Sequence, residues 1–170
     1  MKIKQKYSER GQGLVEYALI LVLVAVVAVV ILALLGEQVA ATFNCLVIEL
    51  QGRGGSTVSG FTLVDANADS DIGGLVCGGT VTLSALPSTD LNVRAGVNGT
   101  IGSMTFQLDG PTTHSRTENA APYALFGNSG SDYYAGSFSA GNYTLTATAF
   151  SAGGGGGTEL GSLTITFRVE

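Results

Sequence analysis

The sequence predicts an α+β chain: one long, apolar N-terminal helix followed by an all-β antiparallel sandwich. Three observations predict it. Residues 18–36 carry no charged side chain, a run that as a helix approaches the thickness of a bilayer's hydrocarbon core. From Val58 onward the apolar residues recur at every second position, the period of a half-buried strand. Between the two lies Gly52-Arg53-Gly54-Gly55-Ser56, which has the composition of a flexible link. The expected organisation is therefore a short basic leader over residues 1–11, a helix over 12–51, a linker over 52–57 and a β domain over 58–170.

The leader holds Lys2, Lys4, Lys6 and Arg10; the other basic residues are Arg53, Arg94, Arg116 and Arg168. The full chain of 170 residues has 8 basic and 13 acidic side chains, a net charge of −5. Without residues 1–11 it would keep 4 basic and 12 acidic (13 minus Glu9), a net of −8, and no lysine at all. A basic end before an apolar run is expected to stay cytoplasmic, with the rest outside. The acidic, lysine-free remainder argues against nucleic-acid or anionic-membrane binding by the β domain. An ordinary secretory signal is not expected, because the apolar run follows the basic segment and would be retained.

The helix follows. Leu14–Leu35 is 22 residues, about 33 Å of helix, enough to span the hydrocarbon core. Its Val and Ile content would suit a strand in water. In lipid only a helix satisfies every backbone group within one segment. Ala18, Ala25, Ala28 and Ala33 offer small residues for close helix packing. Glu16 is a lone carboxylate near the start of this run, and such a charge is costly enough to mark a functional residue. After Gly36, Val39, Phe43, Leu46, Val47 and Leu50 recur at intervals of three and four, an amphipathic continuation that ends near Gly52.

The two cysteines are Cys45 and Cys77. An even count in an exported chain suggests a disulfide between them. Closing a loop of that size would contribute about 3–4 kcal/mol on the chain-entropy model. Two separate thiols are the alternative.

In the β domain, Leu91, Val93 and Ala95 alternate with Asn92 and Arg94. Met104, Phe106 and Leu108 alternate with Thr105 and Gln107. Tyr143, Leu145, Ala147 and Ala149 alternate with threonines, as do Leu163, Ile165, Phe167 and Val169 with Thr164, Thr166 and Arg168. Each pattern gives a strand one apolar and one polar face. Shorter candidates are Gly60–Val64, Thr80–Ser84, Ser115–Glu118 and Tyr123–Phe126. Gly153–Gly157 is expected as a mobile hairpin loop before the last strand.

The junction Arg10-Gly11-Gln12-Gly13-Leu14-Val15-Glu16-Tyr17 resembles the prepilin peptidase site of the Flp (type IVb, tight-adherence) pilins. Those have a basic leader, a Gly at the cut, and Glu-Tyr as the fifth and sixth mature residues. Cutting after Gly11 makes Gln12 the first residue, Glu16 the fifth and Tyr17 the sixth. Cutting after Gly13 would make Glu16 the third, which departs from the pattern. Thr42-Phe43-Asn44 also looks like the tail of short Flp pilins, so the likeness covers roughly residues 8–50. One departure is plain: typical Flp pilins stop soon after this helix, whereas this chain runs on to Glu170.

The resemblance implies a structural pilin of a type IV pilus. Its precursor would sit in the membrane, be cut by a prepilin peptidase, and be polymerised by an assembly ATPase and platform proteins into a homopolymer on the cell surface. It implies that Glu16 pairs with the new N-terminal amine of a neighbouring subunit, which offsets the desolvation of both charges. The plainer reading is a carboxylate at the bilayer interface facing water. Tyr17 reads equally as an assembly residue or an interfacial aromatic.

The β domain resembles an immunoglobulin-like repeat of bacterial surface proteins. The likeness rests on Leu63-Val64-Asp65-Ala66, Asp71-Ile72, Arg94-Ala95, Arg116-Thr117-Glu118-Asn119, Pro122-Tyr123-Ala124-Leu125-Phe126-Gly127 and Tyr143-Thr144-Leu145-Thr146-Ala147-Thr148. It implies a fold and an extracellular setting, not a catalytic activity. Tyr143, after Gly141-Asn142, looks like a tyrosine corner.

Other candidates carry weaker patterns. Asp65, Asn67, Asp69 and Asp71 alternate like a calcium loop, but Ser70 and Val76 stand where an EF-hand needs Gly and Glu; an Asx-rich turn is the better reading. Tyr133, Tyr134 and Phe138 could present rings to a sugar, although packing within the domain is the expected role. Asp109, Arg116 and Glu118 suggest an ion-pair network. Nothing marks His114 as part of a catalytic set, so no enzyme, cofactor or metal is expected. The alternative function is a minor or tip pilin, or a membrane-anchored adhesin, whose head binds glycans.

Overall fold

The computed structural model describes residues 13, 15–31, 45 and 57–170. The chain divides into two compact units, Met1–Ala40 and Ala41–Glu170.

In the first unit, Gly13 and residues 15–31 are helical. The helix forms although valine dominates it, so the expected helical conformation is seen for these residues. The continuous stretch is 17 residues, about 25 Å of helix against roughly 30 Å of hydrocarbon. Among the described residues no helix is long and apolar enough to cross a membrane. The expected span Leu14–Leu35 and the helix over 12–51 reach beyond the described residues, as do Gly11 and Gln12.

The second unit is β-rich. One sheet has the order β2-β1-β4-β7, with β1 (Val58–Asp65), β2 (Ser70–Leu75), β4 (Leu91–Val97) and β7 (Tyr123–Ala124). The other has the order β3-β11-β10-β5-β6, with β3 (Gly79–Val81), β5 (Ser103–Asp109), β6 (His114–Glu118), β10 (Gly141–Phe150) and β11 (Glu159–Val169). A two-stranded hairpin, β8 (Asn128–Ser129) and β9 (Asp132–Tyr133), completes the set. Every pairing is antiparallel except that of β3 with β11, which is parallel.

Both sheets contribute to one apolar core. Phe61 and Leu63 of β1 and Val93 and Ala95 of β4 meet Phe106, Leu108, Leu145, Ala147, Ile165 and Phe167 of the other sheet. These are the inward positions that the period of two assigns, which is why the long strands β5, β10 and β11 fall where alternation puts them. Phe126, Phe138, Tyr143 and Phe167 form a chain of ring contacts with centroids 5.3–6.0 Å apart, the offset and edge-on geometry that aromatic pairs prefer.

Several boundaries differ from the sequence reading. The candidate strand Thr80–Ser84 keeps only its first part in β3 and turns into a 3-10 helix over Leu83–Ala85. The candidate Tyr123–Phe126 is a strand only over Tyr123–Ala124, although Leu125 N still donates to Val93 O at 2.8 Å. Strand β2 was not expected at all. Its Gly73-Gly74 pair shows no alternation, and it is held at the sheet edge by β1 with a register shift between Leu63 and Val64, the mark of a bulge. Thr57, assigned to the linker, belongs to the β domain: its hydroxyl donates to Leu160 O at 2.9 Å and its carbonyl accepts from Asn98 N at 2.8 Å.

The Gly153–Gly157 loop is not left loose. Gly153–Gly155 form a 3-10 turn. The buried Ser103 hydroxyl donates to Ala152 O at 2.5 Å and accepts from Gly155 N at 2.9 Å. Asn119 Oδ1 accepts from Gly154 N at 2.6 Å. The glycines are needed for backbone conformation, with φ of 70° at Gly154 and 73° at Gly155, a region costly to other residues.

Candidate functional site

The helix of the first unit is the most unusual surface in the molecule. From Val15 to Ile31 its large apolar side chains are exposed on every side, Val15 by 64% and Tyr17 by 73%. Glu16, also exposed, is the one charged side chain among the described residues of this helix. A helix that is apolar all round is stable only when something apolar surrounds it. Glu16 and Tyr17 sit one after the other near the start of this exposed apolar surface.

In the second unit Cys45 and Cys77 form a disulfide, with a Cα–Cα distance of 5.6 Å across a separation of 32 residues. Each sulfur lies 3.9 Å from the Thr166 hydroxyl on β11. The bridge ties Cys45, which follows the apolar run in the sequence, to the turn between β2 and β3.

The acidic cluster is a structural turn. Buried Asp65 accepts from Asn67 N at 2.9 Å and Ala68 N at 3.2 Å, the Asx-turn pattern. Asp69 takes a φ of 49°, a conformation Asp tolerates, and accepts from Tyr133 N at 2.8 Å. Asp71 pairs with Arg94 at 2.7 Å. Among the described residues no group of three or more His, Cys, Asp or Glu side chains could hold a metal ion.

Residues 127–134 lie against the outer face of the β1–β4 sheet, where Gly127 O and Tyr134 O bind Asn92 and Tyr133 packs on Val64, and they decide what the aromatic candidates do. Tyr133 is buried in a second small cluster with Val64 and Ala124. Its hydroxyl accepts from Arg94 Nη1 at 3.2 Å. That bond, then the one to Asp71, holds the Arg94 guanidinium above its ordinary pKa, against a smaller opposing effect of partial burial. Phe138 belongs to the main core. Only Tyr134 remains exposed, at 47%, so the three rings do not share a surface.

The residue the alternation misplaces is Asn92. Expected on a solvent face, it is fully buried beneath residues 127–134. Its Nδ2 donates to Gly127 O at 3.0 Å and Tyr134 O at 2.8 Å. Its Oδ1 accepts from Val93 N at 2.8 Å and Phe126 N at 3.1 Å. The amide thus pairs with backbone groups around it; Gly127 O also accepts from Tyr134 N at 3.0 Å.

Arg116 and Glu118 form the expected ion pair, half-buried on β6. Asp109 does not join it and accepts instead from Gln107 Nε2 at 2.9 Å. His114 opens β6, and its ring lies tilted against Phe126 with centroids 4.9 Å apart. The tyrosine-corner geometry is present: the Tyr143 hydroxyl donates to Ser139 O at 2.9 Å.

No protein-family model, curated protein or solved structure matches this chain.

Proposed function

We propose that the chain is a structural pilin of a type IV filament of the Flp, tight-adherence kind. The precursor would reside in the membrane through residues 14–35. A prepilin peptidase would cut after Gly11, and an assembly ATPase and platform proteins would draw subunits into a homopolymer. The observation that carries this reading is the exposed helix over residues 15–31, apolar on every side, with Glu16 in its first turn. Apolar surface left in water costs about 25 cal/mol per Å², so the helix needs lipid or copies of itself around it. A bundle of such helices would leave the acidic β domains on the filament surface, where they support adhesion or biofilm formation.

The β domain we read as immunoglobulin-like. Support comes from the order β3-β11-β10-β5-β6 facing β1, β4 and β7, and from the Tyr143 hydroxyl on Ser139 O at 2.9 Å at the start of β10.

The test is the mass of the N-terminal peptide of protein sheared from intact cells. A peptide beginning at Gln12 is expected. An intact Met1 terminus, with nothing released by shear, would overturn the reading.

A further inference from the structure

We propose that the Cys45–Cys77 disulfide is a force-bearing clasp, which moves the point where tension from the N-terminal helix enters the β domain from Thr57 to Cys77. The proposal rests on the filament reading for its purpose, since a surface filament carries load between its anchored helices and its displayed domains. Its mechanics rest on the β domain alone.

The bridge closes a separation of 32 residues with a Cα–Cα distance of 5.6 Å. That loop contains Thr57, β1 and β2. The chain within it could extend to about 110 Å, so tension reaching Cys45 passes through the sulfurs and leaves the loop slack. It emerges at Cys77, directly before a continuous ladder along β11. Gly78 N donates to Thr166 O at 2.6 Å. Gly79, Thr80 and Val81 pair in parallel with Phe167, Arg168 and Val169. Glu170 N donates to Val81 O at 3.0 Å, and Leu83 N to Glu170 O at 2.8 Å.

Parallel pairing decides how this ladder fails. Pulling the start of β3 against the far end of β11 slides the two strands along their common axis. All the ladder bonds are strained together, whereas a hairpin pulled from its open end loses them one at a time. Without the bridge, tension would reach β1 through Thr57, the described residue just before it. There the chain is held by two hydrogen bonds, at 2.8 and 2.9 Å, and the β1–β4 register is irregular between Val58 and Gly60. Strand β1 lies between β2 and β4 and supplies Phe61 and Leu63 to the core. Drawing it out would open the domain, and the clasp keeps load off it.

Optical-tweezer pulling of the full chain in detergent micelles, with handles at Met1 and Glu170, tests this. The bridged chain should rupture at a higher force than the same chain reduced with a phosphine. Reduction should also lengthen the contour gain by about 110 Å. If the reduced chain unfolds without load, the bridged protein alone decides: a handle moved from Met1 to Thr57 should lower the rupture force. Equal rupture forces from Met1 and Thr57 in bridged protein, or a contour gain unchanged by reduction, would overturn the clasp. Either result leaves the sheared-peptide test of the filament reading untouched. An uncleaved chain with no shed material would sink the filament and leave the force difference standing.

Discussion

Asn92→Ala should destabilise the β domain far more than its place in a polar-alternate pattern suggests. The substitution removes both donors and both acceptor sites of a fully buried amide. Three backbone groups lose the amide as partner, Tyr134 O, Phe126 N and Val93 N, while Gly127 O keeps Tyr134 N at 3.0 Å. A buried polar group left unsatisfied costs about 1–3 kcal/mol. A water entering the vacated space would recover part of that, leaving a net loss of about 3–5 kcal/mol. Domains of this size are stable by about 5–15 kcal/mol in total. At roughly 4 °C per kcal/mol, the melting temperature should fall by about 12–20 °C. The assay is thermal unfolding of the full chain in detergent micelles, followed by near-ultraviolet circular dichroism, which reports the tyrosines around the covering segment. A surface polar residue changed to Ala costs within about 0.5 kcal/mol. A drop of under about 2 °C would therefore refute the reasoning and return Asn92 to the solvent face.

Three further outcomes are expected. Glu16→Ala should lower the yield of sheared filaments while the β domain melts unchanged; normal yield would sink the role given to that carboxylate. Tyr143→Phe removes one hydrogen bond, to Ser139 O, and keeps the ring contacts, so a loss of about 0.5–1.5 kcal/mol in urea unfolding is expected. Ser103→Ala orphans Ala152 O and Gly155 N. It should cost about 1–3 kcal/mol and speed amide exchange across Gly153–Gly157, and unchanged exchange would show that the loop orders itself without Ser103.

Much of the fold is legible because burial and local geometry agree along long strands. Met104, Phe106 and Leu108, and the alternating residues of β10 and β11, lie inward as their spacing requires. The candidate site is partly legible too. The uncharged run and its single carboxylate stand out in the sequence, and the even cysteine count points to the bridge that the structure contains. Strand β2 was illegible because glycines carry no side chain to alternate. The acidic cluster is legible as an Asx-rich turn, which Asp65 forms, but spacing alone cannot show that Asp69 holds Tyr133 and Asp71 pairs with Arg94.

By itself the sequence determined which residues are greasy, which are acidic, and the period at which they recur. Those properties are local, and they set helix, strand and inward face. Tertiary structure alone decided what lies over an outward face. Val64, Asn92 and Tyr133 are buried because residues 127–134 fold against the sheet there, and no period of two carries that information. It also decided that β3 runs parallel to β11 beside Cys77, since strand order follows from how two sheets close around one core.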